Sequence, residues 1–341
     1  MPAPAVADWP AVDVVMVVSN EARHLRDAVR SVLSQDYPGP VVVAVAVGPS
    51  RDGTELVAAG LAADDPRVTV VANPSGRTPS GLNAAVAVTQ APVVARVDGH
   101  AVLPDGYLRR AVELLEETGA VNVGGVMAAE GTTGFERAVA AAMSSPFGVG
   151  GGKFHYGGEP GPADTVYLGV FRRDALAAVG GYDEHFARAQ DWELNHRLRG
   201  RGGLVWFAPD LRVTYRPRPA LPALARQYRD YGRWRRVVMR RHPDSVRWTY
   251  LVPPVTVAGL GVGAALVAAG RRLGWLAPGA YAAANLLASG TVGRRMPAAE
   301  AVRLPVVLAT MHLSWGWGFL TSPRRLGAAA PAGRGPSDPL H

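Results

Sequence analysis

The chain has 341 residues, 48% of them hydrophobic, with a formal net charge of +8 and a pI of about 10.2. There is no cysteine, which excludes disulfide scaffolds, cysteine zinc sites and thiol nucleophiles. The length suits one large domain or two ordinary ones, and the basic balance suits nucleic acid, an anionic membrane surface or phosphate-bearing substrates. Lys153 is the only lysine, so the positions of the arginines say more than their number.

Residues 1–10 lack the basic and apolar stretches of a secretory signal, which predicts an N-terminal domain that stays in the cytoplasm. Residues 12–18 form a β-branched run that reads as a strand. Residues 21–34 place Leu25, Val29, Val32 and Leu33 at helical spacing. Strands are then predicted over 41–47, 68–71, 93–97 and 121–127. Helices are predicted over 54–62, 80–89 and 104–117, the last with Pro104 at its opening position. Apolar strands alternating with helices predict a mostly parallel sheet covered on both faces. Ligands of such sheets bind beyond the C-terminal strand ends.

Residues 148–161 hold seven glycines and one proline around Lys153, Phe154, His155 and Tyr156. This composition fits a disordered surface loop or a mobile lid over an active site. Regular structure resumes over 165–171, with helices around 172–179 and 191–199. Residues 216–247 then carry ten arginines against two aspartates, interleaved with Tyr228, Tyr231 and Trp234.

Residues 248–270 and 273–293 contain no charged side chain, and 304–323 contain only His312. Each is near the roughly 18–20 residues needed to cross a bilayer, although the helices of a soluble core share that composition. The expected layout is a transferase domain over 1–215, a basic interfacial segment over 216–247, membrane-associated helices over 248–323 and a disordered tail over 324–341. The basic segment predicts a cytoplasmic face, and Arg271 and Arg272 then conflict with a simple single crossing.

Three local patterns carry chemistry. Arg96-Val97-Asp98-Gly99-His100 ends an apolar strand and sets Asp98 and His100 two residues apart, on one side of an extended segment. That pair can hold a divalent cation against a diphosphate, or it can be an ordinary turn. Gln190-Asp191-Trp192-Glu193 opens a helix. Asp191 is there either a helix cap or a general base, with Glu193 in support. Asn20-Glu21 follows the first strand, where a nucleotide would sit and where helix capping is the alternative.

Taken in order, these patterns resemble the family 2 nucleotide-sugar transferases with the GT-A fold, over about residues 12–241. Val17-Val18-Ser19-Asn20-Glu21-Ala22, followed by Ser31-Val32-Leu33-Ser34-Gln35-Asp36-Tyr37-Pro38, is similar to that family's first strand and helix. Ser50-Arg51-Asp52-Gly53-Thr54 resembles its Ser-Thr-Asp-Gly-Thr turn, and Asp98-Gly99-His100 stands where the family has Asp-x-Asp. Gly180-Gly181-Tyr182-Asp183-Glu184 and then Gln190-Asp191 resemble its acceptor segment. The nearest subgroup is the bacterial exopolysaccharide type, similar to succinoglycan-chain transferases, which also carry Asp-x-His and C-terminal membrane segments.

The resemblance implies an α/β fold of GT-A type and an inverting transfer of a sugar from a nucleotide-sugar donor to an acceptor hydroxyl. It implies Ser19, Asn20, Glu21, Asp52, Arg77, Asn83 and Asp98 around the donor, and Mn²⁺ or Mg²⁺ on Asp98 and His100. It makes Asp191 the general base. Gln190 and Glu193, with Arg233, Trp234, Arg235 and Arg236 of the basic segment, are the candidates for a lipid-linked glycan acceptor. The enzyme is expected at the cell membrane, with its catalytic domain on the cytoplasmic side and no nucleic-acid partner.

Three departures matter. Val47, Gly48 and Pro49 stand where the family has an acidic residue for the nucleotide base, so UDP is only a default donor. Gln190 replaces the usual Glu. The Gln-x-x-Arg-Trp signature of processive members is missing, which favours addition of a single sugar. The absence of any Gly over residues 12–25 excludes a dinucleotide fingerprint. A sugar-nucleotide nucleotidyltransferase and a non-catalytic membrane scaffold are the alternatives.

Overall fold

The computed structural model describes residues 8–326. In chain order it contains β1 (Val12–Val18), α1 (Leu25–Leu33), β2 (Val41–Val47), α2 (Thr54–Asp64), β3 (Val68–Ala72) and α3 (Thr78–Ala87). There follow β4 (Val93–Arg96), α4 (Tyr107–Thr118), β5 (Asn122–Ala129), α5 (Gly134–Met143), α6 (Pro146–Val149) and α7 (Lys153–Tyr156). Next come β6 (Gly161–Pro162), β7 (Tyr167–Arg172), α8 (Arg173–Ala178), α9 (Gln190–Gly200) and β8 (Val205–Tyr215). The chain continues with α10 (Leu221–Arg241), α11 (Val252–Ala268), α12 (Leu276–Gly293), α13 (Ala298–Ala301) and α14 (Leu304–Leu320).

Two compact units emerge. One comprises residues 8–127 and Gly157–Thr214; the other comprises Ala128–Tyr156 and residues 215–326. Besides the residues after the expected boundary at 215, the second unit takes in residues 128–156 with α5 and α6. The glycine-rich stretch 148–161 is also not simply irregular, since it holds the end of α6, all of α7 and the first residue of β6. The expected tail falls mostly outside the described residues.

The eight strands form one sheet in the order β3-β2-β1-β4-β7-β5-β8-β6. The four strands β3, β2, β1 and β4 run parallel, as the alternation of strands and helices predicts. The other half departs from that expectation, because β7 lies antiparallel to both β4 and β5, and β6 lies antiparallel to β8. β6 and the long β8 have no counterpart in the sequence reading. β8 alternates buried and open positions around a proline and an aspartate, which blurs its apolar run.

Both faces of the parallel half are covered, and strand parity shows how. Val12, Val14, Met16 and Val18 of β1 pack with α1 and α4, whereas Val15 packs on the other face with α3, α8 and α9. Asp13 is buried at the foot of β1, where it accepts from Arg173 Nη2 at 2.6 Å and from the Ala91 amide at 2.6 Å. A buried carboxylate needs such partners, and these tie β1 to the start of α8.

The second unit is helical. Close packing of α10 on α14 depends on glycines. A Cβ at Gly232 would collide with the Trp315 carbonyl, and one at Gly318 with the Arg229 carbonyl. Leu304, Val307, Leu308 and Met311 of α14 are fully buried. By contrast, Val255 and Val262 of α11 are 66% and 61% exposed. Of the three uncharged stretches, Trp248–Ala268 is the one long and apolar enough to cross a membrane, with a mean hydropathy of 1.9.

Candidate active site

The sheet's carboxyl end gathers three loops. The first joins the ends of β1 and β2. Asn20 takes a left-handed backbone conformation (φ 55°), which an asparagine tolerates. Its amide donates to Ser50 Oγ at 3.1 Å, and its Oδ1 accepts from the Arg51 amide at 2.9 Å. Ser19 Oγ donates to the Pro49 carbonyl at 2.8 Å. Asp52 accepts from the Ala22 amide at 3.0 Å and from Thr54 Oγ1 at 2.6 Å, while Thr54 Oγ1 accepts from the Glu21 amide at 2.8 Å. The hydrogen bond from Thr54, with those from backbone amides, holds the Asp52 carboxyl below its ordinary value despite partial desolvation. Ser19, Asn20 and Asp52 thus share one region, where they cross-link two loops.

The second loop follows β4. Parity along β4 puts Val93 and Ala95 on the face of α1 and α4 and Val94 on the face of α8 and α9. Arg96 and Asp98 share the latter parity. Arg96 is 9% exposed, and its Nε and Nη2 donate to Asp98 Oδ1 at 3.2 and 2.9 Å. Gly99 sits so close to β1 that a Cβ there would lie 2.5 Å from Val18 Cγ1. His100 Nδ1 lies 2.8 Å from Glu21 Oε1. Glu21, expected at the donor, therefore fixes the ring expected at the metal.

The third loop is the turn before α9, gripped by α3. Asn83 Nδ2 donates to the Tyr182 carbonyl at 2.8 Å and its Oδ1 accepts from the Tyr182 amide at 2.9 Å. Ser80 Oγ donates to Glu184 Oε2 at 2.8 Å, and Arg77 Nη2 donates to the His185 carbonyl at 3.3 Å. Gly181 needs its positive φ (69°), and a Cβ there would press on Asn83 Oδ1 at 2.8 Å. Both polar ends of Asn83 are thereby engaged, and its observed place is as a brace of this turn.

α9 begins at Gln190, with left-handed Ala189 before it as the cap. Asp191 is therefore not the cap that the local pattern allowed. Its Oδ1 accepts from Arg96 Nη1, so one guanidinium holds Asp98 and Asp191 together. Burial works against the Arg96 charge, but Asp191 and Asp98 more than offset it. Burial likewise pushes the Asp98 carboxyl up, and Arg96 and His100 pull it below its ordinary value. The Tyr182 hydroxyl is raised by burial and by the neighbouring Asp191 carboxylate.

Glu193 departs from expectation. It is 1% exposed and accepts both arms of the Arg197 fork at 2.7 Å, which leaves no open edge for an acceptor. It anchors α9 instead. The same helix is fixed by Asn195, which accepts from Asn122 Nδ2 at 2.6 Å and donates to Thr165 Oγ1 at 2.9 Å.

Arg233, Trp234, Arg235 and Arg236 belong to the second unit, on α10. Trp234 is 8% exposed and packs inside rather than facing a ligand. The Arg235 guanidinium lies over the Tyr250 ring at 4.4 Å and that of Arg236 over Phe319 at 5.0 Å. Arg233 Nη1 is 3.9 Å from Asp230.

The sequence motifs contain both Arg96 and Tyr182 without giving either a role. The available signal was Arg96 itself: a charged residue in an apolar strand, at the parity of Asp98, must find partners.

The model of the family described as glycosyl transferase family 2 matches residues 13–180. Over 313 residues the chain is 33% identical to the succinoglycan biosynthesis protein ExoA of Rhizobium meliloti (strain 1021), covering 90% of this chain and 93% of that protein. The chain belongs to glycosyl transferase family 2. It is a glycosyltransferase on the GT-A fold. In structure it is similar to the mannosyltransferase PcManGT of Pyrobaculum calidifontis, solved in complex with GDP-Man and Mn²⁺. That likeness has a TM-score of 0.62 at 19% identity, over 92% of this chain and 88% of that chain.

Proposed function

We propose that this glycosyltransferase moves one sugar, with inversion, from a nucleoside diphosphate donor to the hydroxyl of a lipid-linked glycan in exopolysaccharide synthesis. The observation that supports the reading is the single Arg96 guanidinium shared by Asp98 and Asp191, which keeps the two motif carboxylates side by side beyond the strand ends. The donor lies over the loops of Ser19, Asn20, Glu21 and Asp52, with Arg77 beside it and Asn83 keeping the facing turn in place.

Asp98 and His100 fit a divalent cation: a carboxylate below its ordinary pKa and an imidazole oriented by Glu21 form an oxygen and nitrogen donor set suited to Mn²⁺ or Mg²⁺. Asp98 and His100 would hold such an ion, which would supply positive charge against the charge developing on the departing diphosphate. Asp191 accepts the proton of the acceptor hydroxyl. The hydroxyl oxygen bonds to the anomeric carbon as the carbon–diphosphate bond breaks on the opposite face, so one displacement inverts the centre. Arg96 orients Asp191 for that transfer, and Gln190 opens the acceptor side.

The donor's base stays open between UDP, the family default, and GDP, which the similar mannosyltransferase holds as GDP-Man. Lipid linkage is supported by the arginines of α10 and by the exposed apolar α11, which favour an anionic headgroup at a bilayer surface. Location at the membrane, with the catalytic unit on the cytoplasmic side, is the reading that the same features and the succinoglycan biosynthesis name of the relative support. Family membership does not favour a nucleotidyltransferase or a silent scaffold.

The test is a panel of sugar nucleotides incubated with purified protein and Mn²⁺, reading released nucleoside diphosphate with soluble and with lipid-linked acceptors. Release from a single donor that rises with the lipid-linked acceptor is expected; no release from any donor overturns the reading.

A further inference from the structure

We propose that Arg96 is a positioning residue that couples loading of the donor site to readiness of the base, by holding both carboxylates until a cation claims one of them. The inference rests on the roles given above to Asp98 and Asp191. Its own ground is the geometry of one side chain. Arg96 is 9% exposed, and its guanidinium serves the strand-end carboxylate with Nε and Nη2 and the helix-start carboxylate with Nη1.

Both arms toward Asp98 converge on the same oxygen, Oδ1. A divalent cation approaching Asp98 meets a positive charge already on its ligand, and in a partly desolvated cleft that repulsion is large. Arg96 therefore weakens cation binding to the protein alone. A nucleoside diphosphate arriving with the cation brings the negative charge that reverses the balance. The guanidinium then yields Asp98 and stays on Asp191, whose carboxylate it aims at the acceptor. Loading the donor and aiming the base become one event, which disfavours a cleft holding bare cation. Tyr182 is buried beside the same three groups.

A purely structural arginine would behave differently. Its removal would loosen the site and weaken cation binding. Under the coupling, Arg96→Met leaves two carboxylates facing each other without their cation, an arrangement that attracts a divalent ion. Titration of Mn²⁺ into nucleotide-free protein, followed by the electron paramagnetic resonance of the free ion, should show Arg96→Met binding at least about fivefold more tightly than wild type. At saturating donor and Mn²⁺, the same variant should lose about 10²-fold in kcat with little change in donor KM. Arg96→Lys keeps the charge without the fork and should fall between the two in both measurements.

Unchanged or weaker Mn²⁺ binding by both Arg96 variants, with Asp98→Asn abolishing binding in the wild-type background, overturns the coupling and leaves the site reading intact. Wild-type Mn²⁺ binding that is indifferent to Asp98→Asn overturns the site reading and the coupling with it. Should Arg96→Met fail to fold, Arg96→Lys decides, because a wild-type affinity together with a wild-type kcat contradicts the proposal.

Discussion

Asp191 stands at the second position of α9, held by Arg96 from the strand side, and the task proposed for it in transfer is to receive one proton. Replacing it by Asn keeps the shape and most hydrogen bonding but removes the proton acceptor. The expected loss in kcat is about 10²–10⁴-fold, with donor binding retained, as checked by steady-state rates and nucleotide titration. A second carboxylate tests the electrostatics of the other unit. Glu136 closes a capping box at α5 and accepts from the Thr132 hydroxyl at 2.5 Å and from the Thr132 and Thr133 amides at 2.8 and 3.0 Å. Those bonds, led by the Thr132 hydroxyl, lower its pKa from 4.5 to about 2. A lowered acid stabilises the fold fully above its unfolded value, so the cap is intact above about pH 4.5 and weakens as the pH falls toward 2. The amide shifts of Thr132 and Thr133 should titrate with a midpoint near 2; a midpoint near 4.5 would refute the assignment.

Helix α10 meets α14 across glycine. Introducing Ala at Gly232 sets two effects against each other. Helix propensity improves by roughly 0.8–1 kcal/mol. The new methyl, however, meets the backbone carbonyl of Trp315, which cannot rotate away as a side chain can. Overpacking of this kind costs about 1–3 kcal/mol, or more when the obstacle is main chain. The net expectation for Gly232→Ala is destabilisation of about 1–2 kcal/mol, seen as a lower melting temperature in detergent. A rise in melting temperature would show that the helices can part at little cost. At Gly60 in α2, by contrast, nothing stands within 4 Å, and Gly60→Ala should stabilise by up to about 1 kcal/mol.

The exposed apolar surface of α11 concerns how the protein lives in the cell. In the apolar window of Trp248–Ala268 only 11% of residues are buried, whereas the core helix of a soluble protein would be mostly enclosed. Val255 and Val262 stand seven residues apart on one face. If that face meets lipid, Val255→Lys with Val262→Lys carries a penalty of roughly 2.5–3.5 kcal/mol per lysine near the bilayer centre. The double variant should then leave the carbonate-washed membrane fraction, where the wild type remains. Retention equal to wild type would argue that this surface does not sit in lipid. The chain has no cysteine, so a single introduced cysteine would be a unique label for the side on which each loop lies.

Much of this protein was determined locally and could be read as such. β1, β2 and β4 are short β-branched or apolar runs, and α1 carries its apolar residues at helical spacing, so their identity follows from nearest-neighbour preference and periodicity. The order of motifs along about residues 12–241 was enough to mark the family, whose model matches residues 13–180. Tertiary structure decided the rest. β7 joins the sheet antiparallel, because strand direction depends on which partner edge is free and not on the residues of the strand. Glu193 turns inward because Arg197, one helical turn on, supplies the charge that makes burial affordable. Asp98 and Asp191 are 93 positions apart in the sequence, and no local rule brings them together. They meet because strand parity aims Arg96 at the face that α9 covers, and a buried guanidinium there requires negative charge from both sides.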